Sequence, residues 1–132
     1  MIYILPFTGF VISTFIYAYF WHLVFFKAIY DAIGIYDREQ PIIPVGVATV
    51  VLQGGVFIVL YAHLDIGYSL ILKGTILGLL LGIFEYCSGS LAFAAKRKIR
   101  AFKAWVIIQF FLSVTLFPIA GTVAGAIYQL QQ

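Results

Sequence analysis

Charge is what this sequence has least of. Of its 132 residues, 10% are Asp, Glu, Lys or Arg, where a soluble domain carries roughly 25%. So sparse a set of charges cannot clothe a water-facing surface, and disorder needs the opposite composition, low hydrophobicity with high charge. There is one cysteine, Cys87, which excludes an internal disulfide scaffold. Lying in an apolar run, it is expected to be a buried, inert thiol. The two histidines, His22 and His63, fall at opposite ends of apolar stretches. There is no His-x-x-x-His, Cys-x-x-Cys or Glu-x-x-His pair, so neither a metal nor any other cofactor is expected. Nucleophile elbow, phosphate loop and acid pair are missing too, which points away from an enzyme.

What is there is hydrocarbon. Hydrophobic residues make up 64% of the chain, aromatic residues 18%, and mean hydropathy is +1.08. A bilayer core about 30 Å thick needs about 20 apolar residues per helical crossing. The chain offers four such stretches, at about 2–26, 44–63, 68–95 and 104–128. Each is far longer than the ~9–11 residues of a barrel strand and none alternates strictly. Lipid requires each segment to satisfy its own backbone polar groups, which helices do. The expected fold is therefore all-α: a polytopic membrane protein with four transmembrane helices in an up-down-up-down bundle, forming one domain. Met1 is followed directly by apolar residues, with Lys27 the first positive charge. The first stretch thus reads as a retained span, not a signal peptide, whose helix runs on through Tyr30 and Asp31 to Gly34.

The charges mark the loops. Lys27, Asp31, Asp37, Arg38 and Glu39 form one cluster, and Lys96, Arg97, Lys98, Arg100 and Lys103 a second. Asp65, Lys73 and Glu85 stand alone. The first and third loops, 27–43 and 96–103, fall on one side of the bundle and hold seven of the eight Lys and Arg residues. By the positive-inside rule they face the cytoplasm and both termini face the opposite side. Trp21, Tyr30 and Trp105 mark the inner surface, and Tyr3, Tyr61, Tyr68 and Tyr128 the outer one. The basic loop reads first as a topology determinant. Lys96, Arg97, Lys98, Arg100 and Lys103 could also contact anionic lipid or an acidic partner. The positive net charge does not signal nucleic-acid binding, because it is confined to this short loop. The mixed-charge stretch 31–41 is where a partner protein would make contact.

Small residues recur at helical spacing. Gly74, Gly78 and Gly82 line one face of the third span, and Gly121 and Gly125 one face of the fourth. Such stripes let helix backbones approach closely, either within the bundle or against a second chain. Large aromatics leave little expected space for a substrate cavity. Glu85 is the most informative single residue. A carboxylate deep in a span costs at least ~2.5–3.5 kcal/mol on insertion scales, so it should face a neighbouring helix. Gln53 and His22 are its expected partners, with Tyr86, Ser88 and Gln109 as further local donors. Such a cluster is either an intramembrane polar site or a structural glutamate fixing helix register.

The stretch Trp21-His22-Leu23-Val24-Phe25-Phe26-Lys27-Ala28-Ile29-Tyr30, followed by Gly34, resembles the first-span exit of an uncharacterised family of small four-span bacterial integral membrane proteins. The 121–125 region is similar in character. His22 departs from the tyrosine of that pattern. The resemblance implies a bacterial inner membrane and carries over no catalytic residue.

Two functional classes follow. The first is a non-enzymatic protein acting by helix association, as an accessory subunit or a homo-oligomer, its partners being lipids, other membrane subunits or copies of itself. The second is a small transporter or channel protomer built around Glu85. A membrane enzyme with an intramembrane acid comes third.

Overall fold

The computed structural model describes residues 2–35 and 40–132. Among these the chain is 82% helical with no strand. Four helical stretches are long and apolar enough to cross a membrane: Ile4–Phe25, Ile43–His63, Leu70–Ala94 and Phe102–Leu130. The elements are α1 (Ile4–Phe20), α2 (Lys27–Ile33), α3 (Ile43–His63), α4 (Leu70–Glu85), α5 (Ala92–Ala94) and α6 (Phe102–Leu130). π-helical turns at Trp21–Phe25 and Tyr86–Leu91 extend α1 and α4.

The local chemistry sets the boundaries. Pro44 sits in the first turn of α3, where its missing N–H would have no partner anyway. After α3 the Asp65 carboxylate accepts from the Gly67 amide at 3.1 Å. Gly67 turns the chain with φ +68°, a left-handed conformation that glycine adopts without steric cost. The Ser69 hydroxyl then accepts from Leu72 N at 3.4 Å and caps α4.

Span one does not continue as a single helix to Gly34. At Phe26 the backbone leaves the helical region, with φ −117° and ψ +13°. The short helix α2 then restarts and ends at Gly34 with φ +67°. The reason is packing. Bending there brings the Trp21 and Phe26 rings together at a tilt, with centroids 4.3 Å apart, and lets Trp21 Nε1 donate to Tyr30 Oη at 3.1 Å. Tyr30 and Ile33 are then buried with Ala94, Trp105 and Ile108.

Helix α6 is the centre of the molecule. In its apolar window 44% of residues are buried, against 11% for α3. Its buried residues fall on two adjacent rows with a step of four, one through Ile108, Leu112, Leu116, Ala120 and Ala124, the other through Trp105, Gln109, Ser113, Phe117, Gly121 and Gly125. The second row meets the glycines of α4 in antiparallel register. A Cβ on Gly74 would come within 3.0 Å of the Gly121 carbonyl oxygen, one on Gly78 would do so at Phe117, and one on Gly82 at Ser113. Reciprocally, a Cβ on Gly121 would strike the Gly74 oxygen and one on Gly125 the Leu70 oxygen. The Cα–H bonds that replace these side chains therefore aim at carbonyls across the interface, as in close Cα–H···O contacts. A 2.7 Å hydrogen bond between Thr75 and Thr122 lies in the same seam. Helix α1 packs on α6 through Phe10, which is fully buried against Phe57 and Phe117. Tyr17 adds a 2.7 Å bond to Thr115.

Helix α3 is attached along one half only. Gly54, Phe57 and Tyr61 are buried, whereas every residue from 41 to 49 is exposed. The two halves of the bundle are accordingly unlike. The end with the termini is tightly packed, with Tyr3 stacked on Tyr128 and Tyr61 edge-on to the same ring. The end with the basic loop is more open.

Candidate functional site

That open end contains a groove of about 350 Å³ lined by Ile35, Glu85, Gly89, Ser90, Phe93, Trp105 and Gln109. Its presence departs from the expectation that aromatic bulk would fill such space. Two features of the backbone produce it. The π turn Tyr86–Leu91 widens the chain immediately after Glu85, a local insertion often found at functional sites. No α3 residue lines the groove, and α3 is exposed from its start through residue 49.

Glu85 is half-buried. Its carboxylate lies across Gly89, where a Cβ would collide with Oε1 and sit 3.1 Å from Cδ. The other oxygen, Oε2, accepts from Gln53 Nε2 at 3.5 Å, long enough to be a weak bond. Among the described residues Glu85 has no cationic partner. The one ion pair there is Lys27 with Asp31, which is exposed. Arg97 is instead placed over the Phe93 ring, 4.9 Å from its centroid.

The structure thus brings Gln53 to Glu85 and leaves His22 apart. His22 Nδ1 donates to Ala18 O at 2.9 Å, and its ring lies 4.7 Å from that of Tyr30. Of the other donors, Ser88 bonds Phe84 O at 2.8 Å and Tyr86 bonds Val106 O at 3.3 Å. Neither reaches Glu85. Gln109 does share its groove. Gln109 is 8% exposed, and its side chain makes no hydrogen bond among the described residues. Trp105 walls the groove and is itself fixed, its Nε1 donating to Ser90 O at 3.3 Å.

Other sequence expectations resolve individually. Gly74, Gly78, Gly82, Gly121 and Gly125 are all buried between α4 and α6. Cys87, in the π turn Tyr86–Leu91, is exposed on the bundle surface, not buried. Lys96, Arg97, Lys98, Arg100 and Lys103 are exposed, and the Arg100 side chain passes Gly34. The expected partner-contact stretch falls partly on Tyr36, Asp37, Arg38 and Glu39, which lie outside the described residues. No group of three His, Cys, Asp or Glu side chains that could hold a metal occurs among the described residues.

No family model matches the chain, and no curated protein or solved structure matches it either.

Proposed function

We propose that this chain is a non-enzymatic integral membrane protein that acts by helix association, as an accessory subunit or a homo-oligomer, in the inner membrane of a bacterium. Loops 27–43 and 96–103 face the cytoplasm, and both termini face the opposite side. The observation that carries the reading is the half-detached α3. Its residues 43–49 are all exposed, and Gly46 among them has open space where a side chain would stand. Close approach of a further helix there needs small residues of this kind. The α4 and α6 glycines are already used inside the chain, so the association surface is α3.

The test is cross-linking in native membranes. Cysteine placed at Val47 in a Cys87→Ala background should give a discrete higher-mass product with a short bifunctional maleimide. Cysteine at Phe84, on the exposed side of α4, should not. Monomer alone from Val47, Gly46 and Thr49 cysteines would refute self-association through α3.

A second reading has its own support. The groove around Glu85, with Gln53 bonded to the carboxylate, supports a protomer whose intramembrane acid lines a polar path.

A further inference from the structure

We propose that the groove beside Glu85 binds a small organic ammonium ion, its charged end held by the Glu85 carboxylate and the Gln109 amide oxygen, and its carbon skeleton set against Trp105. The proposal deepens the second reading above by naming the ligand class. The association reading through α3 does not depend on it.

Two independent observations converge on this space. The first is a carboxylate in an apolar bundle with no cation within ion-pair distance among the described residues. A half-buried carboxylate with one long bond from Gln53 is incompletely compensated, and a ligand of opposite sign adds to that compensation. The second is Gln109. It is more than nine-tenths buried, without a hydrogen-bond partner among the described residues, and it lines the same groove. Its amide atoms are not shut off from the groove, so the oxygen can accept from a ligand there. The two come from different elements, α4 and α6, so one ligand can meet both.

The lining selects the ligand class. Oxygen donors are few, while Trp105, Phe93 and Ile35 supply hydrocarbon and aromatic faces. Calcium takes 6–8 oxygens and magnesium keeps several waters in an octahedral shell, so neither suits this lining. An ammonium ion carrying carbon substituents needs one counter-charge, one or two acceptors and apolar walls. Aromatic rings hold such cations by cation–π attraction, tryptophan best of all. Phe93 already carries the Arg97 guanidinium, and Trp105 supplies the second aromatic ring of the lining. A volume of about 350 Å³ lies at the small end of ligand pockets.

The position allows two sources for the same chemistry. The groove opens near Ile35 and the residues that precede the basic loop, where either a free amine or the ammonium of a lipid headgroup could enter. The full chain would be placed in nanodiscs of phosphatidylglycerol, in a Trp21→Phe background that leaves Trp105 the one indole of the two in the sequence. Ethylammonium chloride, whose N–H groups can donate to both acceptors, would be titrated against Trp105 fluorescence, with sodium chloride at matched ionic strength as control. We expect a saturable change that sodium chloride does not give. Glu85→Gln keeps the side-chain shape and a hydrogen-bonding group toward Gln53, and should weaken binding at least about tenfold. Gln109→Leu should weaken it less. Glu85→Asp, which keeps the charge, should retain a measurable response. The arm that separates sources repeats the titration with phosphatidylethanolamine in the disc. Competition assigns the site to the headgroup amine, and its absence assigns it to free amines. A flat titration, or an equal response from Glu85→Gln protein with an unchanged melting curve, overturns the proposal. So does equal saturation by magnesium chloride. The assay reads occupancy, not movement, so a groove that binds without conducting is told apart from one that does not bind.

Discussion

Thr14 shows how much one hydroxyl decides in a dry interior. It lies on the buried face of α1 at 3% exposure, and its Oγ1 has no hydrogen-bond partner among the described residues. The other threonines and serines of the spans mostly return a bond to the carbonyl four residues back, as Thr8, Ser13, Thr49 and Ser88 do. A buried hydroxyl left alone costs about 1–3 kcal/mol. Thr14→Val keeps the shape and removes the polar group, so it should stabilise the fold by about 1 kcal/mol, read as a higher unfolding midpoint in detergent titration. Tyr17→Phe should act the other way. It deletes the bond to Thr115, and interhelical hydrogen bonds in membranes average about 0.6 kcal/mol. A loss larger than 2 kcal/mol would mean that Tyr17 contributes more than its hydroxyl.

At the scale of elements, glycine position matters more than glycine count. Gly78→Ala pushes a methyl into the Phe117 carbonyl and the Pro118 Cα. Backbone cannot step aside as a side chain can, so α4 and α6 must separate, at a cost of about 1–3 kcal/mol or more. Gly46→Ala on α3 meets nothing within 4 Å and should be neutral or stabilising by up to ~1 kcal/mol, since alanine is the better helix former. Paired thermal melts of the two variants check this, and equal losses would contradict the α4–α6 register. The same pair explains what could be read in advance. The stripe 74, 78, 82 was legible because a step of four keeps residues on one helix face. The partner face on α6 was legible for the same reason, through Gly121 and Gly125. The break at Phe26 was not, because no glycine or proline marks it and its cause is a long-range contact of Tyr30 with the Trp105 cluster. Nor could the groove be foreseen. Gln109 looks like any single polar residue in an apolar span, and the π turn after Glu85 leaves no trace in composition. Depth along the span did single out Glu85 and Gln53. Pairing His22 with them failed because the π turn Trp21–Phe25 that carries it sets its ring beside Tyr30.

For the whole molecule, orientation follows from how the charges divide between its two ends. Four crossings place the termini together and the two charged loops together at the other end. That end carries Lys27, Lys96, Arg97, Lys98, Arg100 and Lys103. Lys73, the exception, lies in α4 with its ammonium 4.9 Å from the Tyr61 ring centroid. A partly buried amine resting on an aromatic ring near a helix start is accommodated locally, as snorkelling lysines are, and adds little to the bias of the loops. The five basic residues of 96–103 sit within the distance from span ends over which Lys and Arg set orientation. In a Cys87→Ala background, Gln131→Cys should therefore react with a membrane-impermeant maleimide in intact spheroplasts, while Lys98→Cys should react only after permeabilisation. Replacing Lys96, Arg97, Lys98, Arg100 and Lys103 with glutamine removes most of the asymmetry, and the label at position 131 should then divide between protected and accessible pools. Full accessibility of Lys98→Cys in intact spheroplasts would invert the molecule. The groove, whose mouth lies at the basic end, would then open away from the cytoplasm.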